Sequence, residues 1–220
     1  MRRFALTLLC GLASAALFAS VIRAHTAVTY YPWIWKTDKT QLYHFTASYP
    51  TGEHRSRWYD AKNQWNGVGQ PHTWNPGAEV PDFQWNTCGN YYGHNGIHWG
   101  GYDGQYRVLG VVQTCLMSGS DGAFEIYSMN ALIDSAEDWY TGTDNAGSSW
   151  FFGNNPDAWS VASHEMGHMT GFYIHWDDDA PQDICQDNSD QHTMCKYIYS
   201  GTERSRTPEI HDRHTFDAAY

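Results

Sequence analysis

The chain has 220 residues, carries 24 acidic against 13 basic side chains, and has a formal net charge of −11 at neutral pH. Binding to nucleic acid needs clustered lysine and arginine, so this charge excludes a nucleic-acid partner. The length suits one domain of two lobes with a hydrophobic core of its own.

Residues 1–24 have the pattern of a secretory signal peptide. A basic head at residues 1–3 precedes an apolar stretch over residues 4–22, and Ala24 offers a small residue for cleavage. We therefore expect a secreted, extracellular protein whose mature domain is 25–220, with a charge of −14 and no stable membrane association. An uncleaved anchor is the alternative, because the apolar stretch approaches the length of a membrane span.

Four cysteines follow the predicted signal segment. An even number of cysteines in an exported chain indicates two disulfides, for which three pairings are possible. We favour the pairing of nearest neighbours, Cys88 with Cys115 and Cys185 with Cys195. No CxxC pair is present, which disfavours zinc bound by thiolates.

The expected elements of the first half are mainly strands. An early strand is predicted within residues 25–31 and another near 41–48. Residues 53–66 are predicted to form a helix, because Trp58, Ala61 and Trp65 fall on one face and Gly67 follows. Further strands, rich in β-branched and aromatic residues, are predicted at 80–85, 107–116 and 124–129, with a glycine-rich loop over 86–104.

The most specific motif in the second half is HEMGH, residues 164–168. Residues four apart share a face of a helix, so the imidazoles of His164 and His168 can bind one metal ion. Glu165 is rotated by about 100° from His164, where it can hold a water molecule rather than ligate the metal. This arrangement is typical of catalytic zinc.

Residues on both sides of the motif predict where its helix begins and ends. Asn155 is the expected N-cap, with Pro156 at the first helical position and Asp157 in the first turn. Gly171 suits the left-handed residue that ends a helix. A sharp turn after Thr170 would return a later side chain to the metal.

His175 is the nearest candidate for the third zinc ligand. His192 is the first alternative, followed by an aspartate among 177–179. The same three aspartates could bind Ca²⁺ through their carboxylate oxygens, although a solvated acidic loop explains them equally simply.

The run from His164 to His175 resembles the metzincin clan of zinc endopeptidases, whose signature is HExxHxxGxxH followed by a turn that contains methionine. The third histidine comes one residue later here, with Ile174 at the position of the signature. Residues 191–195 resemble the methionine turn, and the resemblance implies that Met194 forms an apolar floor beneath the ligating histidines. Residues 136–142 and 206–220 are similar to small secreted bacterial matrixin-like proteases.

The resemblance implies a metzincin-like two-lobed catalytic domain of the α+β class. We expect a twisted mixed sheet with two helices and a smaller irregular C-terminal lobe that ends in a helix after Pro208, with Thr207 as its N-cap. An edge strand would bind the substrate as an added antiparallel strand. Residues 124–130 are the candidate for this edge, and an ordinary core strand is the alternative.

The expected function is that of a zinc metalloendopeptidase, a monomer acting on protein or peptide substrates. His164, His168 and His175 would bind Zn²⁺, and Glu165 would be the general base that activates a water molecule. Two alternatives remain: a non-catalytic secreted module that binds zinc structurally and carbohydrate through its aromatic residues, and a zinc hydrolase of non-peptide amides.

Overall fold

The structure is a computed structural model that describes residues 35, 40–68, 73–86, 88, 95–101, 109–118, 124–143, 151–152, 155–171, 193–194, 206–208 and 212. The predicted signal segment and the early strand at 25–31 lie outside these residues. So does the final helix, except that Asp212 is helical. Neither helix of the described part has the length and apolarity needed to cross a bilayer.

The described elements comprise seven strands and two helices. In chain order they are β1 (Gln41–Phe45), α1 (Glu53–Asn66), β2 (Trp74–Pro76), β3 (Asn95–Gly100), β4 (Gly110–Ser118), β5 (Phe124–Asp134), β6 (Phe151–Phe152), β7 (Asn155–Pro156) and α2 (Ala158–Thr170). The first five strands form one sheet in the order β2-β1-β3-β5-β4. β4 is antiparallel to β5, whereas the other neighbours are parallel. The expected α+β class with a mixed sheet and two helices is confirmed for these residues.

Helix α1 has the predicted bounds and buries the predicted face. Trp58, Ala61 and Trp65 are buried, and the helix ends at Gly67 as expected. The indole N–H of Trp65 donates to the carbonyl oxygen of Ser163 at 2.7 Å. Because Ser163 belongs to α2, this bond joins the two helices beneath the HEMGH motif.

The two faces of the sheet are covered by different parts of the chain. Strand residues alternate between the faces, and Tyr43, Phe45 and Ile97 belong to the same core cluster as buried residues of α1 and α2. On the opposite face, the ring of Phe83 contacts the ring of His98 with centroids 4.3 Å apart. Helices therefore cover one face, and an irregular segment covers the other.

The prediction of a strand at 80–85 was wrong. Only Val80 pairs, in an isolated bridge with Thr46. Hydrogen bonds that involve side chains hold the rest of this segment against the sheet. The carboxylate of Asp82 accepts from the amide of Ser48 at 2.9 Å, and the side-chain amide of Asn130 donates to the carbonyl oxygen of Trp85. The apolar residues of this segment therefore pack onto a sheet without joining its ladder.

The disulfide between Cys88 and Cys115 confirms the first predicted pair. It fastens the end of the irregular segment to strand β4. The second pair, Cys185 with Cys195, lies outside the described residues.

The predicted loop over 86–104 is also wrong in part, because it contains β3. One of the glycines that suggested a loop, Gly96, meets a packing requirement instead. A β-carbon at Gly96 would lie 2.5 Å from Nε2 of His98 and 2.7 Å from Cζ of Phe83. Glycine within a strand commonly marks such a close approach.

The strands predicted at 107–116 and 124–129 correspond to β4 and β5, but β5 continues to Asp134. β5 lies between β3 and β4 in the sheet order, with Ala131–Asp134 paired to β3. Ile126 pairs with Leu116 of β4 and also forms a bridge with Trp35, so residues 124–130 are not the free edge that the sequence predicted. In the described part of the sheet, β4 is the edge strand on that side.

Candidate metal centre

The HEMGH motif lies in α2, whose start differs from the prediction. The N-cap is Asp157, two residues later than expected, and its carboxylate accepts from the amide of Ser160 at 3.1 Å. Asn155 and Pro156 form β7 instead, paired with β6. Asparagine and aspartate are comparable N-caps. The pairing of β6 with β7, which the local sequence does not show, decides that Asp157 caps the helix and Asn155 does not.

The helix ends as predicted. Its last residue is Thr170, and Gly171 has a φ of 125°, which favours glycine. The course of residues 172–180 lies outside the described part of the chain. The predicted third ligand His175 and its alternatives, His192 and the aspartates at 177–179, therefore have no described position.

His164 and His168 lie side by side on α2. Their ring centroids are 4.8 Å apart, and the ring planes are nearly perpendicular, at 87°. Both residues are buried, with 8% of their surface exposed. The spacing of the motif therefore brings together the two imidazoles that it predicted to act jointly.

The ring of His164 is oriented by a backbone carbonyl. Its Nδ1 lies 2.7 Å from the carbonyl oxygen of Thr193. A carbonyl oxygen only accepts, so Nδ1 carries the proton of a neutral ring and Nε2 carries the lone pair. A metal-ligating histidine is commonly fixed in this way by a hydrogen bond at its other nitrogen.

Thr193 is a site residue that the sequence did not reveal. Its amide donates to Oδ2 of Asp212 at 3.2 Å, and its hydroxyl donates to the carbonyl oxygen of Thr207 at 3.0 Å. Both Thr193 and Asp212 are fully buried. The carbonyl that orients His164 thus belongs to a residue that is held through both its amide and its hydroxyl.

Glu165 is buried against the edge strand. It is 3% exposed, and its Oε2 has no hydrogen-bond partner within the described residues. Burial raises the pKa of Glu165 to about 8. A cation bound beside the carboxylate would favour its charged form and oppose this rise.

Met194 packs directly beneath the helix. A β-carbon at Gly167 would lie 2.2 Å from Sδ of Met194 and 2.8 Å from Cζ2 of Trp65. Met194 is fully buried, as predicted. Gly167, which lies between His164 and His168 in the sequence, therefore lets the methionine approach α2 closely. A glycine inside a helical pattern is the sequence signal for such a contact.

The start of α2 is held by a buried ion pair. Arg206 donates from Nε to Oδ2 of Asp157 at 2.8 Å and from Nη2 to Oδ1 at 2.7 Å. The carbonyl oxygen of Arg206 accepts from the hydroxyl of Ser163 at 2.7 Å. The guanidinium also lies over the ring of Trp159, 4.8 Å from its centroid. These contacts attach residue 206 to the helix that carries the histidines.

The donor set fits a zinc ion in part. Two imidazoles on one helix face are suitable ligands, and in the described part of the chain Oε2 of the adjacent Glu165 is buried without a hydrogen-bond partner. Within the described ranges, no group of three or more His, Cys, Asp or Glu side chains could hold a metal ion.

Comparison with protein-family models finds no match, and a search of curated proteins finds no similar sequence either. The resemblance to metzincins rests on the motif residues themselves.

Proposed function

We propose that this protein is a secreted zinc-dependent endopeptidase. The observation that carries the proposal is the grouping on α2. His164 and His168 stand side by side, His164 is fixed through Nδ1, and the neighbouring Glu165 is buried with no hydrogen-bond partner for its Oε2 among the described residues. A purely structural helix would not require this combination, because a buried carboxylate oxygen without a hydrogen bond is costly.

His164 and His168 would hold the ion through their Nε2 atoms. His175 is the proposed third ligand, since Gly171 ends the helix four residues before it. Zinc, when bound in such a site, acts as a Lewis acid toward the scissile carbonyl and lowers the pKa of its water to about 7.

Glu165 is the proposed general base. Its carboxylate would take a proton from the attacking water and pass this proton to the leaving amide nitrogen. The burial of Glu165 keeps competing solvent from the carboxylate, and the absence of a described partner for Oε2 leaves that atom available for the proton.

The position of strand β4 favours an extended peptide as the substrate. It is the end strand of the described sheet order, and its first residue, Gly110, lies against Glu165. An extended peptide could pair with this edge through backbone hydrogen bonds, which do not depend on the side chains of the substrate. We assign the substrate-binding role to β4 in place of residues 124–130.

The first prediction concerns Glu165→Gln, which keeps the size of the side chain but removes its basicity. We expect zinc content to stay at the wild-type level while cleavage of casein falls by about 10²-fold or more. Metal analysis and a casein assay on the same purified protein measure both quantities. His168→Ala is the matched variant, expected to lose metal and activity together.

The outcomes separate the rival functions. Wild-type activity that is abolished by a chelator and restored by zinc supports the endopeptidase. Near-normal cleavage by Glu165→Gln would refute the role of Glu165. A spectroscopic count of four protein ligands and no water would favour the structural zinc module. Hydrolysis of cell-wall fragments but not of casein would favour an amide hydrolase.

A further inference from the structure

Gly110 lies where a side chain would occupy the space of the Glu165 carboxylate. A β-carbon built on Gly110 would be 2.6 Å from Oε1 of Glu165, and 2.9 Å from both Cδ and Cγ. Carbon atoms in real structures essentially never approach this closely, and ordinary contact begins at 3.4 Å. For an alanine at this position to reach ordinary contact with Oε1, something would have to move by about 0.8 Å, from 2.6 to 3.4 Å.

The backbone of Gly110 does not itself require glycine. Among the described glycines, only Gly52 and Gly171 have a positive φ. Gly110 pairs with Ile133 in an antiparallel ladder that keeps one register from Gly110 to Cys115. In such a ladder β-branched residues are favoured and glycine weakens the strand. Glycine at position 110 is therefore explained by the space that Glu165 occupies and not by the backbone conformation.

The neighbouring backbone is less able to move than the carboxylate. Strand β4 is paired with β5 from Gly110 to Ser118, and the amide of Asp134 donates to the carbonyl oxygen of Leu109 at 3.0 Å. Glu165, in contrast, has a flexible side chain, and its Oε2 has no partner among the residues described. An added β-carbon would displace the carboxylate and leave the strand in place.

From these contacts we infer that Gly110 is a positioning residue for the general base. Its α-carbon forms the wall that sets where the Glu165 carboxylate lies, and any larger residue moves the carboxylate away from the proton it must take. This inference rests on the proposed function of Glu165. The contact itself is independent of that function, so the two can fail separately.

The kinetic test is Gly110→Ala. We expect kcat for a peptide substrate to fall by about 10- to 100-fold, since a misplacement of about 1 Å can cost 10²-fold in rate. KM and zinc content should change by less than about twofold, because the histidines are unchanged and the backbone of β4, which would pair with the substrate, stays in place. Gly101→Ala is the matched control: among the residues that the structure describes, its β-carbon would meet nothing nearer than Oγ of Ser135 at 3.8 Å, so kcat should be unchanged.

A double variant distinguishes positioning from a general structural effect. Alanine at position 165 removes Cγ, Cδ and Oε1, the three atoms that the added β-carbon would meet. Gly110→Ala should therefore lower the residual kcat by less than about threefold in the Glu165→Ala background, although it costs about 10-fold or more in the wild type. An equal loss in both backgrounds would overturn the inference.

A crystal structure of Gly110→Ala supplies a readout that does not depend on activity. We expect the Glu165 carboxylate to be displaced by about 0.8 Å or more, with β4 still paired to β5. An unmoved carboxylate beside a shifted strand would overturn the inference, whether or not the wild type cleaves peptides. If the carboxylate moves as expected but the wild type shows no metal-dependent proteolysis, the proposed function fails and the contact stands.

Discussion

The orientation of His164 depends on residues far along the chain from α2. Its Nδ1 donates to the carbonyl oxygen of Thr193, and the amide of Thr193 itself donates to the carboxylate of Asp212. A hydrogen bond of this kind fixes the ring plane and the tautomer of a metal ligand, and its loss commonly weakens metal binding by about 10- to 100-fold. Asp212 is thus expected to affect the metal without touching it.

We predict that Asp212→Ala weakens zinc binding by about tenfold. The substitution leaves the buried amide of Thr193 without its acceptor, at a cost of about 1–3 kcal/mol, so the Thr193 carbonyl is less well fixed. Competition with a chromophoric chelator measures the Kd of zinc. Asp212→Asn keeps an acceptor oxygen and should stay within about threefold of the wild type. An unchanged Kd in Asp212→Ala would contradict this prediction.

At the scale of elements, local periodicity predicted α1 correctly because Trp58, Ala61 and Trp65 share one face and Gly67 follows. The same reasoning failed at residues 80–85, which have the composition of a strand but pack across a sheet face. It failed again at the start of α2. The choice of Asp157 as N-cap depends on Arg206 and on the pairing of β6 with β7, contacts that are distant in sequence.

We predict that Asp157→Ala lowers the free energy of unfolding by about 3–5 kcal/mol. The change removes the N-cap of α2 and leaves the Arg206 guanidinium, 7% exposed, without its carboxylate partner; breaking a buried pair typically costs this amount. Urea denaturation of the metal-free protein provides the measurement. The control is Glu79→Ala, which removes a half-exposed partner of Arg55 and should cost no more than about 1 kcal/mol.

For the molecule as a whole, the sequence predicted the fold class, two neighbouring histidines, the adjacent carboxylate and one disulfide. It did not predict the order of the strands, because alternation within a strand does not specify its neighbours. For this reason the sequence predicts residues 124–130 as the edge, whereas β4 holds that position in the described sheet. The contacts of Gly110 with Glu165 and of Thr193 with His164 were missed for the same reason, since each joins residues that are distant in sequence.

Both faces of the sheet are covered, and the face away from the helices buries His98. This residue is 5% exposed, and its Nε2 has no hydrogen-bond partner in the described part of the chain. Burial lowers the pKa of His98 to about 4, and the nearby charge of Asp82 opposes this fall only in part. The folded protein therefore favours the neutral ring, whereas the unfolded chain binds a proton near pH 6.5.

The final prediction is that this histidine makes the fold less stable in acid. Between pH 6.5 and 4 the unfolded chain binds more protons at His98 than the folded protein does, so the free energy of unfolding falls as the pH is lowered. The full penalty, reached below about pH 4, is about 3 kcal/mol. Urea denaturation of chelator-treated protein at pH 7.0, 5.5 and 4.5 (conditions chosen to span roughly this window) measures the slope.

His98→Gln removes the titrating group, so its free energy of unfolding should fall less steeply with decreasing pH than that of the wild type. His54→Gln is the comparison. Burial also lowers the pKa of His54, but this ring is only partly buried and the nearby charge of Glu53 opposes the shift. Its replacement should therefore remove less of the slope. A wild-type slope that persists unchanged in His98→Gln would show that the buried ring on the far face does not control acid stability.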